Sequence, residues 1–126
     1  MKEKQKFCST NGHISYAGIH LIIELWDAKN LSSLPKIRKS LKDSVKAIGA
    51  TLLNINLHKF SPSGGVSGVA IISESHLSIH TWPEYKYAAL DIFVCGQVDP
   101  YKAIKVLKKQ YETSNIQINE IKRGIF

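Results

Sequence analysis

From Thr51 to His58 the chain alternates without a break: Leu53, Ile55 and Leu57 take one side, and Asn54, Asn56 and His58 the other. A period of two belongs to a strand with one buried and one wetter face. After the turn-forming Ser61-Pro62-Ser63-Gly64-Gly65 come two further strand-like runs, Ser67 to Ser73 and Ser75 to Trp82. Pro83-Glu84 turns the chain again, and Tyr87 to Cys95 sets Leu90, Ile92 and Val94 opposite Asp91, Phe93 and Cys95. One antiparallel sheet is the simplest arrangement for such a run of strands.

The flanking segments supply what covers it. Gly18 to Trp26, carrying Ile19, Leu21, Ile22, Ile23 and Leu25, reads as a largely buried strand. Leu34, Ile37, Leu41, Val45 and Ile48 recur at helical spacing, with Ser33 as N-cap, Pro35 in the first turn and Gly49 as the stop. Asp99-Pro100 starts a second helix with Ala103, Ile104, Leu107 and Tyr111 as its apolar stripe, and Ile116, Ile118 and Ile121 mark a last strand. The order strand, helix, four strands, helix, strand predicts an α+β two-layer sandwich, an antiparallel sheet with both helices on one face. The uncovered face keeps apolar residues, so it is expected to pack on a second copy as an αββα homodimer. The 126 residues suffice for one core. We expect one domain over residues 16–126 and a flexible polar tail over 1–15.

Composition narrows the partners. Hydrophobic content of 44% and charged content of 21% are those of a soluble globular chain. No apolar run is long enough for a membrane span, and Met1 to Ser15 lacks the apolar core of a secretory signal, so the expected location is the cytoplasm, with no membrane partner. A net charge of +7 raises the question of nucleic acid. Lys36, Arg38, Lys39, Lys42 and Lys46 fall on one predicted helix, and Lys102, Lys105, Lys108 and Lys109 on the other, as wet helix faces would. No nucleic-acid partner is expected. A bridge between Cys8 and Cys95 is possible, but nothing in the sequence supports it, and a cytosolic chain would keep both reduced.

The chemistry concentrates in Ser73-Glu74-Ser75-His76-Leu77-Ser78-Ile79-His80-Thr81-Trp82-Pro83-Glu84, too many titratable groups for an ordinary apolar strand. His76 and His80 have metal-ligand spacing for a helix, but on a strand they stand roughly 13 Å apart, so no metal is expected there. Ser75, His80 and Glu84 have the chemistry of a hydrolase triad, yet Ser75 lies in a strand-like run with no nucleophile elbow around it.

The run Ile72 to Glu84 resembles the self-processing signature of bacterial and archaeal S-adenosylmethionine decarboxylases. Tyr87 to Gly96 continues it, Gly65-Val66-Ser67-Gly68-Val69 and Gly18-Ile19-His20 match upstream, and the likeness runs from about Gly18 to Gly124. Lys86 stands where relatives often place glycine, and the Ser61 to Gly65 loop varies among them.

The resemblance implies a proenzyme that cuts itself between Glu74 and Ser75 into a β chain (1–74) and an α chain (75–126). Ser75 would become a pyruvoyl group, a covalent cofactor the protein makes for itself without metal. The group forms a Schiff base with the amine of S-adenosylmethionine and accepts the electrons left by carbon dioxide, giving the aminopropyl donor for spermidine synthesis. His80 is implied as the processing base, Ser67 as its assistant and Cys95 as the proton donor in turnover. Phe60 and Trp82 would contact adenine, Glu84 the ribose hydroxyls, and Leu77 would add a backbone or apolar contact. On a straight strand residues 75 and 80 point to opposite faces, so direct reach between them needs a bend at the cut. Relatives that act on arginine or ornithine offer an alternative substrate, and a non-catalytic basic nucleic-acid-binding domain a more remote one. Small members of the family build their sites from two protomers.

Overall fold

Local signals at the helix ends act as the sequence predicts. The structure is a computed structural model, and it describes residues 9–10, 15–95 and 98–125. Ser33 caps helix α1 (Leu34–Ile48) by accepting the Lys36 N–H at 3.3 Å, and Gly49 ends it in the left-handed conformation, at φ 83°. Asp99 Oδ1 accepts the Tyr101 N–H at 3.0 Å and opens a single 3₁₀ turn that leads into α2 (Ala103–Gln110).

Ser9–Thr10 (β1) and Ser15–Tyr16 (β2) form a small antiparallel ribbon of their own. The predicted tail falls otherwise on residues 1–8 and 11–14, outside the described residues. The main sheet comprises β3 (Gly18–Trp26), β4 (Leu52–Lys59), β5 (Val66–Ile72), β6 (Ser75–Trp82), β7 (Tyr87–Val94) and β8 (Asn115–Arg123). Its six strands run in the order β4-β5-β6-β7-β3-β8, antiparallel at every junction.

Both helices lie on one face. Leu21, Ile23 and Leu25 of β3, Leu77 and Ile79 of β6, and Leu90, Ile92 and Val94 of β7 meet Ile37, Leu41 and Val45 of α1 and Leu107 of α2 in one core. Tyr111 is also fully buried there, and its hydroxyl bonds to Ser40. Burial lifts the Tyr111 phenol to about 12, although the Ser40 hydrogen bond pulls the other way. The lysines of both helices are exposed, as the periodicity requires. No helix among the described residues is long and apolar enough to cross a membrane.

One strand departs from its sequence pattern. Leu53 does not join Ile55 and Leu57; a bulge between Leu52 and Asn54 shifts the register, and Leu53 is left 62% exposed. Leu52 takes the inward place opposite Ile72 instead. Alternation alone cannot show an inserted residue, because the bulge is a property of the strand pair.

The face without helices carries the even-numbered residues of β3 and β6 and the odd-numbered ones of β5 and β7. It mixes His20, Ser67, His76, Ser78, His80 and Asp91 with the half-exposed Trp26, Ile71 and Trp82.

Candidate active site

β5 and β6 are joined by the shortest possible hairpin: Ile72 pairs with Ser75, leaving only Ser73 and Glu74 as the turn. Two-residue turns favour glycine or asparagine, because the backbone must enter positive φ. Here neither turn residue is glycine, and the positive φ falls on Ser75, at 149°. That region is essentially reserved for glycine, and holding a serine there costs on the order of 1–3 kcal/mol. The Glu74-Ser75 peptide bond is therefore flanked by a strained residue.

The turn is tied down on both sides. The backbone N–H of Cys95 donates to the Glu74 carbonyl oxygen at 3.2 Å. Thr51 accepts the Ser73 N–H on its carbonyl oxygen at 2.9 Å, and its own N–H donates to Glu74 Oε1 at 3.2 Å. An N–H aimed at a carbonyl oxygen polarises that carbonyl and stabilises negative charge developing on it. Strain, polarisation and fixed geometry thus converge on one bond.

Cys95, just past β7, has its sulfur disulfide-bonded in the structure rather than as the free thiol expected of a reduced chain. The expectation of a free thiol rested on the cytosolic location, and strand periodicity carried no sign that a second sulfur approaches. Cys8 lies outside the described residues.

A second group of residues gathers at the other end of β6. Ser67 and His80 are direct cross-strand partners, and Ser67 Oγ and His80 Nδ1 share a hydrogen bond of 2.9 Å. They border a cleft of about 180 Å³ lined also by Phe60, Ser63, Trp82 and Glu84. A wider hollow of about 470 Å³ adjoins it, reaching Asn56, His58 and Ser78 while sharing Ser67 and His80. Gly68 keeps its floor close-packed: a Cβ there would lie 2.1 Å from Leu57 Cδ2. Below the cleft, buried Thr81 accepts the Val66 N–H at 2.8 Å and donates to the Leu31 carbonyl at 2.7 Å, which pins the end of β6.

Aromatic packing positions the cleft's rim. Trp82 packs on Tyr87 at 5.3 Å between ring centroids, and Tyr87 stacks on Trp26 at 4.4 Å. The Tyr87 hydroxyl donates to Glu24; burial, then that bond and the carboxylate's charge, push the phenol up to about 12. His58 meets the Phe60 ring edge-on at 4.5 Å. Lys86 follows the Pro83–Tyr85 turn in the left-handed region, at φ 52°, so the turn keeps a shape suited to glycine although lysine fills it.

The predicted site residues therefore form two groups. Glu74, Ser75 and Cys95 stand at the start of β6, whereas Ser67, His80, Phe60, Trp82 and Glu84 cluster at its far end. β6 pairs without interruption along its eight residues, so no bend brings the ends together. Ser75 and His80 are five residues apart on it, about 17 Å by strand rise. Leu77 is 1% exposed on the helix side, which leaves its backbone for any substrate contact.

Sequence reasoning missed one cluster. Asp91 accepts hydrogen bonds from His20 Nε2 (2.6 Å) and His76 Nε2 (3.2 Å) on Oδ2, and from Ser78 on Oδ1. Burial alone would raise the Asp91 carboxyl, but the bonds from Ser78, His20 and His76 outweigh it and hold the group below its usual range. The available signal was an ionisable residue in the midst of the otherwise apolar Tyr87 to Val94. His76 and His80, paired by spacing, have separate partners.

Comparison with known proteins points to one family. A family model described as S-adenosylmethionine decarboxylase matches residues 19–124. The chain is 52% identical over 111 residues to an S-adenosylmethionine decarboxylase proenzyme of Methanococcus maripaludis (strain C5), covering 86% of this chain and 90% of that protein. It is 44% identical over 109 residues to a proenzyme of the same description from Thermomicrobium roseum, covering 86% and 94%. Its structure resembles the crystal structure of the adenosylmethionine decarboxylase from Aquifex aeolicus VF5, with a TM-score of 0.74, 31% identity, and coverage of 86% and 92%.

Proposed function

The chain belongs to the S-adenosylmethionine decarboxylase family, and from that premise we propose how its residues divide the work. The family's activity is a pyruvoyl-dependent decarboxylation, that of a lyase. The observation that carries the residue-level reading is the strained Ser75 beside a carbonyl that already receives an N–H.

Ser75 Oγ attacks the Glu74 carbonyl carbon. The Cys95 N–H stabilises the oxyanion, and collapse breaks the C–N bond, converting amide to ester and freeing the Ser75 amine. Relief of the backbone strain at Ser75 favours this step. A base then removes the Ser75 α-proton, the Glu74 carboxylate leaves, and residue 75 becomes dehydroalanine. Tautomerisation to the imine and hydrolysis by one water release ammonia and leave a ketone at the new N-terminus. The products are a β chain of residues 1–74 and an α chain of 75–126 that share one sheet.

The pyruvoyl group supplies an electron sink for decarboxylation once substrate is bound to it. The chain's own residues do the rest. The Phe60 and Trp82 faces hold the adenine and favour a sulfonium cation that a net positive protein would otherwise repel. Glu84 accepts hydrogen bonds from the ribose hydroxyls, and Leu77 contributes backbone. Cys95, as the reduced thiol, delivers the proton that replaces carbon dioxide. The relatives are S-adenosylmethionine decarboxylase proenzymes, so the amino-acid alternative is not favoured. No nucleic acid is needed as a partner, and the cytoplasm, where polyamine precursors are made, is the expected location.

The base is His80, oriented by Ser67, but at about 17 Å along the strand it cannot serve the Ser75 of its own chain. A second copy laid across the open face, its β6 running the other way, would bring its His80 end over the first copy's Ser75 end. The half-exposed Trp26, Ile71 and Trp82 on that face support such an interface. Each active site is then composite, and the protein is a homodimer with two of them.

Co-expression tests this directly. Ser75→Ala and His80→Ala chains are each expected to remain uncut alone. Mixed dimers should show cleavage of the His80→Ala chain only, read by denaturing mass spectrometry as fragments ending at 74 and beginning at 75. If no cleavage appears in verified mixed dimers, base and nucleophile act within one chain.

A further inference from the structure

The chemistry above leaves unused a three-residue constellation in the middle of the sheet. His20 on β3, His76 on β6 and Asp91 on β7 come from three adjacent strands on the open face, and their ligand-type atoms all lie within 4.8 Å of one another. The register explains how. His20 and His76 both pair with Phe93, one from either side, and each imidazole turns its Nε2 back to the same oxygen of Asp91. Phe93 walls the pair, at 5.4 and 6.0 Å from the two imidazole centroids. Ser78 holds the other Asp91 oxygen, as an outer-shell residue fixes a metal-binding carboxylate. In the single chain the three side chains are 15%, 35% and 22% exposed, on the face that the proposed second copy would cover.

We propose that His20, His76 and Asp91 form a binding site for one first-row divalent cation of the zinc class. Two imidazole nitrogens and one carboxylate oxygen, with coordination positions left open, are a donor set that zinc, cobalt(II) and nickel(II) accept. Magnesium and calcium prefer oxygen donors throughout. A tetrahedral ion with bonds of about 2.0–2.2 Å holds its ligand atoms roughly 3.3–3.6 Å apart, so on binding the 2.6 and 3.2 Å contacts would open while the separation of the trio, now within 4.8 Å, draws in. Histidine spacing within one strand gave no hint of it, because the ligands come from different strands.

The site also spans the cut. His20 precedes Glu74-Ser75, whereas His76 and Asp91 follow it, so the ion would bind the two product chains to each other. That consequence rests on the self-cleavage proposed above; the binding itself does not.

The test uses untagged full-length protein, stripped with a chelator and titrated with cobalt(II). We expect a visible d–d absorption that saturates at one ion per chain, displacement of cobalt by zinc, and a raised melting temperature with zinc. His20→Gln and Asp91→Asn should abolish the saturable band, whereas His58→Ala should retain it. Ser75→Ala, which stays uncut, should bind as the parent does, so failure of metal binding and failure of self-cleavage are read separately. If the ligand variants do not fold, imidazole NMR of the parent protein decides: zinc should move the His20 and His76 ring signals and leave those of His58. Absence of a saturable band in the parent protein, a band unchanged in both ligand variants, or ring signals of His20 and His76 that ignore zinc would each overturn the site and leave a hydrogen-bonded cluster only.

Discussion

The two ends of β6 are built for different tasks. At its start the backbone does the work: a turn without glycine, a serine at φ 149°, and peptide groups of Thr51 and Cys95 gripping Glu74. At its far end the side chains do, with Ser67 bonded to His80 and Phe60, Trp82 and Glu84 around a cleft whose floor is pinned by Thr81. In the proposed function the first end breaks a bond in the protein, and the second receives a molecule and moves a proton. In that reading neither is a whole active site. Separation along a fully paired strand is the reason the proposed function calls on a second copy.

The largest effect should come from the start of the strand. Ser75→Ala is expected to abolish cleavage outright, leaving a single intact mass after prolonged incubation; two fragments from that variant would move the cut elsewhere. Next, in a reducing assay, Cys95→Ala should still cleave, because alanine keeps the backbone N–H, while decarboxylation by the processed enzyme falls roughly 10²–10⁴-fold. Unaltered turnover would remove the thiol from proton donation.

The far end should respond differently. Glu84→Gln is expected to cleave at the parent's rate but raise KM for S-adenosylmethionine roughly ten- to a hundredfold with a smaller change in kcat. A loss confined to kcat would contradict a ribose-binding role. The smallest effect separates strain from chemistry. Ser75→Gly and Ser75→Ala both lack the hydroxyl, yet at φ 149° glycine should be more stable than alanine by about 1 kcal/mol in chemical denaturation. In an ordinary strand position the order is reversed, so equal stabilities would mean that Ser75 carries no strain.

Much of this was legible in the chain. The caps at Ser33, Gly49 and Asp99 are where the sequence put them, β6 is the expected strand, and β7 keeps the predicted alternation. The β4 pattern misled at Leu53, because a bulge depends on the partner strand. The motif around Glu74-Ser75 marked the proposed cut, but the Cys95 N–H on the Glu74 carbonyl had no sequence signature, since any residue but proline can supply it. His20 and Asp91 were visible only as polar residues in apolar strands, without a sign that they meet.

By itself the sequence determined the elements, their buried faces and the residues capable of chemistry, because periods of two and 3.6 are fixed by backbone geometry within each segment. Only the tertiary structure decided which of those residues are neighbours. Cross-strand register brings His20 to Asp91 and Ser67 to His80, and an unbent β6 keeps His80 from Ser75. The local turn fixes register within the β5–β6 hairpin, but the register of β3 on β7 comes from packing between distant segments, which no local pattern encodes.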